Sequence, residues 1–131
     1  IRQGTPVLAP EHDVYTNHIH ADDLARAAVA ALFRGRPNRA YHASDDAELR
    51  MGEWFDALAD AHHLPRPPRV DWDEAEARVA PALLSFMNES RRLANVRMKR
   101  ELRVRLAYAT PQAMLDEASL REPRRQMPLA F

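Results

Sequence analysis

A chain of 131 residues suits one domain, and its 46% hydrophobic content supplies a core and excludes global disorder. Nineteen Lys+Arg balance nineteen Asp+Glu, so no net field draws the chain to nucleic acid or to anionic membranes. With no cysteine, disulfides and Cys-ligated metal or iron–sulfur sites are excluded, and no apolar run approaches the roughly 20 residues of a membrane span.

The opening "IRQGTPVLAP" has no basic region leading into an apolar run and no cleavage site. It reads as a cut through a longer chain, and a reducing cytoplasm is the expected setting. Residues 5–12 form an extended loop, because Pro6 and Pro10 block helix. A short extended piece follows at 18–20. From Asp23 the apolar positions Leu24, Ala27, Ala28, Ala31 and Leu32 recur at helical spacing and predict one core-facing stripe. Asp22 is the expected N-cap, and Gly35 with Pro37 ends the helix. Alternation in "RAYHASD" predicts a short strand over 39–45. A helix follows over 51–62, with Met51, Trp54, Phe55, Leu58, Ala59 and His62 on one stripe.

The proline-rich stretch 64–72 reads as an extended connection. A helix is expected over 73–79, resuming after Pro81, while 85–94 stays open between states. Asn95 caps a helix carrying Val96, Met98 and Leu102, and "RVRLAY" at 103–108 alternates as a short extended segment. Thr110-Pro111 supplies an N-cap and a first-turn proline for a last helix to about Leu120. A loose tail is expected over 121–131, with Leu129 and Phe131 as docking candidates. The fold expected is an α/β fragment, mostly helical with a few short strands. Those strands are too few for a self-sufficient sheet, so 40–44 needs partners from elsewhere.

Three chemistries compete. His18 and His20 lie two apart, so on a strand both point to one face and, with Asp22 or Asp23, begin a zinc-ligand pattern. The competing reading, in which a histidine packs and the aspartates cap the helix, is preferred: His-x-His barrel hydrolases need roughly 250 residues. His62 and His63 point about 100° apart on a helix and read as a C-terminal pair facing the dipole. Residues 91–105 carry Arg91, Arg92, Arg97, Lys99, Arg100, Arg103 and Arg105, a phosphate-compatible run. The run lacks aromatic interleaving, so a solvated face is preferred over nucleic-acid binding. No Gly-x-Ser-x-Gly elbow is present, and the three scattered glycines build no phosphate loop. No tyrosine stands four residues before the single lysine, Lys99. The chain by itself shows no complete active site.

Four stretches in register carry a resemblance: "HIHADDLA" (18–25), "RAYHASDD" (39–46), "GEWFDALADAHHLP" (52–65) and "NVRMKRELRVRLAYATPQAMLDEA" (95–118). Across roughly 4–120 the chain resembles the C-terminal half of extended short-chain dehydrogenase/reductases, the NAD-dependent epimerase/dehydratase family. The stretch 88–102 is especially like that family's sugar-nucleotide-epimerase-like bacterial members. The resemblance implies a C-terminal substrate-binding region over 1–120 of a Rossmann-type protein. The Gly-rich NAD or NADP loop and the Tyr-x-x-x-Lys dyad would lie in a separate N-terminal half. It implies a parent oxidoreductase or isomerase that moves a hydride between nicotinamide and a hydroxyl or carbonyl carbon. This chain alone would hold no cofactor, no metal and no catalytic residue.

Asn17, His18 and His20 are the expected substrate-side residues, with Arg91 and Arg92 as anion contacts. The implied partners are the N-terminal half, a small-molecule substrate and, as an option, a second copy. Three departures stand out. Thr16 occupies the place of an arginine that grips the diphosphate in sugar-nucleotide epimerases, which argues against a substrate held that way. Arg103 replaces a family glycine, and "YAT" (108–110) replaces "yPt". The alternative is a non-enzymatic helical interaction module, with Trp54, Phe55, Trp72 and Phe86 as an exposed patch.

Overall fold

The computed structural model describes residues 2–121. They form β1 (Val7–Leu8), β2 (Tyr15–Thr16), α1 (Ala21–Arg34), β3 (Leu49–Arg50), α2 (Met51–Ala61), β4 (Arg69–Val70), α3 (Trp72–Arg78), α4 (Pro81–Met87), α5 (Val96–Glu101) and α6 (Pro111–Arg121). The architecture is α/β and mainly helical, with four two-residue strands among the described residues. Apart from Arg121, which ends α6, the expected loose tail with Leu129 and Phe131 lies outside the described residues.

The strands pair across long stretches of chain. β1 runs parallel to β4, with Val7 opposite Arg69 and Leu8 opposite Val70. β2 runs antiparallel to β3, with Tyr15 opposite Arg50 and Thr16 opposite Leu49. The segments expected as a loop (5–12) and as a connection (64–72) thus each hold a strand. Their partners lie too far away in sequence for local reading to pair them. The strand expected at 39–45 does not form. That segment stays extended without a ladder partner among the described residues, and it is fixed by isolated bonds such as Asp45 N–H to the His18 carbonyl at 2.6 Å. Residues 103–108 likewise form no strand.

α2 is capped by a distant loop. Asp13 accepts from the Gly52 amide at 3.1 and 3.2 Å, the Val14 carbonyl accepts from Met51 N–H at 2.8 Å, and Glu53 accepts from Arg50 N–H at 2.8 Å. A Cβ on Gly52 would lie 1.5 Å from Arg69 Nη1, so glycine lets Arg69 cross the helix start and reach Asp56 at 2.6 Å. At the other end Leu64 N–H returns to the Ala59 carbonyl at 2.8 Å and His63 N–H to Asp60 at 3.1 Å. This is a Schellman closure, in which His63 at φ 52° takes the left-handed position that glycine usually fills.

α1 departs from its expected face. His20, not Asp22, is the N-cap: its Nδ1 accepts from Asp22 N–H at 3.2 Å. The helix buries Asp23 and Ala27, with Ala30 and Ala31 half-buried. The expected stripe members Leu24, Ala28 and Leu32 point outward. The cause is Asp23, fully buried, which accepts from the amides of Ala107 and Tyr108 at 2.9 Å each and pairs with Arg26. Two amide bonds to an ionised carboxylate outweigh the burial of Leu24, so the helix turns its acid inward. Burial pushes the Asp23 carboxyl up. The two amides and Arg26 more than offset this, holding it below the usual range.

Two apolar clusters result. One gathers Leu8, Val14, Met51, Val70, Ala75, Val79 and Met87, with Phe55 and Trp72 packed against it. The other gathers Ala27, Met98, Leu102 and Val104, with Ile19 and Tyr41 at its edge. The segment from Val14 to Ile19 runs from the first cluster to the second.

Candidate functional site

That bridging segment lines a cleft. One part, of about 360 Å³, is walled by Asn17, His18, Ile19, His20, Asp45, Trp54, Tyr108, Thr110, Pro111 and Met114. A second part, of about 440 Å³, shares Asn17, His18 and Trp54 and continues past Tyr15, Leu83, Phe86, Arg91 and Leu93. Three of the residues singled out from sequence, Asn17, His18 and His20, therefore meet in one cavity, and Arg91 lines its extension. Arg92 stands apart: it pairs with Glu48 at 3.0 Å and lies over the Tyr15 ring at 5.1 Å.

Each member has a local cause. Asn17 staples the chain, donating to the Arg91 carbonyl at 2.9 Å and accepting from Leu93 N–H at 2.8 Å. His18 lies 2.8 Å from Thr16 Oγ1 and tilts against Trp54 with centroids 4.9 Å apart. Burial pulls its imidazole below the ordinary histidine range, so its neutral form is favoured. His20 stacks on Tyr108 at 3.9 Å while capping α1. Because Nδ1 accepts there, the proton of the neutral ring sits on Nε2, which leaves a donor. Arg91 is paired with Glu89 at 2.7 Å.

Sequence reading missed Asp45, Tyr108 and Thr110. Asp45 is 6% exposed, and burial, aided by the Asp46 charge against one bond from Ala47 N–H, pushes its carboxyl up to about 6. Asp46 behaves oppositely: burial raises it, but Asn95 and Lys99 bring it below the usual range. Asn95 was expected to cap α5. It stands at the N-cap position, but its side-chain amide instead donates to the Ser44 and Asp45 carbonyls at 2.9 Å each and to Asp46 Oδ1 at 2.7 Å. The "SDD" doublet was the only local signal for this site. Tyr108 arrives through the Asp23 bonds, which no spacing rule reveals.

The metal and polyanion alternatives meet specific geometry. Among the described residues no group of three or more His, Asp or Glu is placed to hold a metal ion. The basic run is largely engaged: besides Arg91 and Arg92, Lys99 pairs with Asp46 and Arg97 donates to the Ala40 carbonyl at 3.3 Å. No helix among the described residues is long and apolar enough to cross a membrane. The aromatic patch of the module reading does not form, because Trp54, Phe55 and Trp72 are half-buried and only Phe86 is exposed. An exposed apolar face lies elsewhere, on α1, where Leu24 and Val29 are about half exposed and Leu32 and Phe33 are 82% and 83% exposed.

No protein-family model matches the chain, and no curated protein matches it. A solved structure described as that of a functionally unknown conserved protein from Silicibacter pomeroyi DSS is similar, with 31% identity and a TM-score of 0.75 over 87% of this chain. The chain spans 40% of that protein's length.

Proposed function

We propose that this chain is the substrate-binding C-terminal region of an NAD(P)-dependent epimerase/dehydratase-like oxidoreductase, working with a nucleotide-binding half that it does not itself supply. The observation that carries the reading is the double use of α1. Its N-terminal end, at His20, borders the cleft, while its outer face presents Leu24, Val29, Leu32 and Phe33 uncovered. A cleft beside a large unpaired apolar face is what a substrate region shows when a second layer belongs over it. The family resemblance and a similar protein of greater length support the same reading.

This chain's residues do not fit a dinucleotide loop, since its three glycines are scattered. Nicotinamide chemistry is therefore assigned outside it. Here the chain's part is to bind and orient a small molecule against His18, His20 and Trp54.

The test uses the longest natural polypeptide containing these residues. It should quench or enhance NADPH or NADH fluorescence on mixing. His18→Ala should raise the KM for whichever substrate it turns over, without changing dinucleotide affinity. Absence of dinucleotide binding by that polypeptide would overturn the oxidoreductase reading. The second reading, an interaction module, is favoured by the same α1 face and predicts a stable dimer instead.

A further inference from the structure

The end of α1 and the end of α5 meet in a cluster of arginines. Arg34, the last residue of α1, donates to the Leu102 carbonyl at 2.8 Å. Arg39 forks onto Glu101, with Nε on Oε2 at 2.6 Å and Nη2 on Oε1. The Tyr41 hydroxyl donates to Glu101 at 3.1 Å and accepts from Arg36 N–H at 3.1 Å, which draws residue 36 into the same cluster. Arg97 donates to the Ala40 carbonyl at 3.3 Å, and Arg103 directly follows Leu102. Exposed Arg34, Arg36, Arg39, Arg97 and Arg103 thus gather around one half-buried glutamate. None of these arginines lines the cleft.

Glu101 is already taken. Arg39 holds its carboxyl below the ordinary range against the smaller effect of burial, helped by Tyr41 and by the Arg36 charge. Bonds to the Leu102 and Ala40 carbonyls leave the charges of Arg34 and Arg97 unneutralised. No ion pair among the described residues engages Arg36 or Arg103. Like charges held together repel, so the cluster by itself lowers stability. Arg103 adds a second cost: its φ of 57° is left-handed backbone, where glycine would sit without strain. Strain kept for a side chain with no ion pair in its own chain points to a use outside that chain.

We propose that this arginine cluster binds a short acidic segment of a partner protein, whose Asp and Glu side chains meet Arg36 and Arg103 as Glu101 meets Arg39. Three observations select that partner. The cluster already holds a carboxylate in a two-bond fork, the geometry for which arginine is suited. Its aromatic ring, Tyr41, packs at the edge of the second core with its hydroxyl on Glu101, so the ring is not a platform for stacking nucleic-acid bases. The chain has no net charge, so a long polyanion or a membrane plane would reach past the cluster to a surface with as many acids as bases. A short segment is confined to the arginines. The proposal is independent of the dinucleotide reading, and either can fail with the other intact.

The probe is a fluorescein-labelled peptide of alternating Glu and Asp, about ten residues long. It is titrated into the longest natural polypeptide containing these residues and followed by anisotropy at pH 7 and about 50 mM salt, where exposed charges are little screened. The peptide should bind, and its affinity should fall steeply as salt rises to about 0.5 M. The double variant Arg36→Glu, Arg103→Glu should bind at least about tenfold more weakly, since both contacts become repulsive. Arg103→Gly should weaken binding by about threefold, the loss of one exposed ion pair, while raising the melting temperature. A residue present for structure alone would not separate those two readouts. Circular dichroism should show both variants folded.

Unchanged peptide affinity in either folded variant, or no peptide binding at low salt, would overturn the proposal. Tighter binding of a labelled single-stranded DNA of the same charge, or of phosphatidylserine vesicles, would overturn it as well, by giving the cluster to a nucleic acid or to a membrane.

Discussion

Asp23 and Asp45 show how much one buried carboxylate decides. Asp23 joins the start of α1 to residues 107 and 108, and through them sets Tyr108 against His20. Asp23→Ala takes the acceptor from the Ala107 and Tyr108 amides and the partner from Arg26. It should cost about 2–3 kcal/mol in urea denaturation and loosen the cleft wall. Asp45 acts through its proton. Its folded-state carboxyl is raised from 3.8 to about 6, so the folded protein holds that proton more tightly than the unfolded chain does. Its contribution to stability is greatest at low pH and declines as pH climbs from about 4 to about 6. Asp45→Asn removes that decline. The variant should therefore gain stability relative to the parent between pH 4 and pH 7, by up to about 3 kcal/mol, read from paired denaturation curves.

Among the elements, the helix ends carry the clearest consequences. His63 and Arg103 both hold left-handed backbone, at φ 52° and 57°, at the ends of α2 and α5. A side chain there is strained, which explains why the family resemblance leads one to expect glycine at Arg103. His63→Gly and Arg103→Gly should each raise stability by about 1 kcal/mol, a gain visible as a higher melting temperature. The helices were legible because their signals are local: Thr110-Pro111 does start α6, with Thr110 Oγ1 accepting from Ala113 N–H at 3.3 Å. The strands were not, because Val7–Leu8 becomes a strand only when Arg69–Val70 arrives beside it. The faces were legible only in part. Periodicity placed Leu24 and Leu32 inward, and the Asp23 bonds turned them out.

At the scale of the whole molecule, two small cores and one uncovered helix face set the behaviour. Apolar side chains exposed as fully as Leu32 and Phe33 associate in water. The 131-residue chain should self-associate with rising concentration in analytical ultracentrifugation. The double variant Leu32→Glu, Phe33→Glu should be monomeric with stability changed by no more than about 0.5 kcal/mol, since neither side chain is buried here. In a longer polypeptide whose other half covers α1, the same pair should instead lower the melting temperature.

The sequence by itself determined what depends on neighbours within a turn or two: helix positions, the cap at Thr110 and the absence of a glycine loop. It also pointed to Asn17, His18 and His20 as residues that belong together, and they do share a cavity. Only the tertiary structure decided which way α1 faces, where the strands pair, and that Asp45 and Tyr108 complete the cleft. The reason is the range of the forces involved. Helical periodicity and capping act over three or four residues. The hydrogen bonds from residues 107 and 108 to Asp23, and from Asn95 to residues 44–46, join points far apart in the chain, so no pattern within a few residues encodes them.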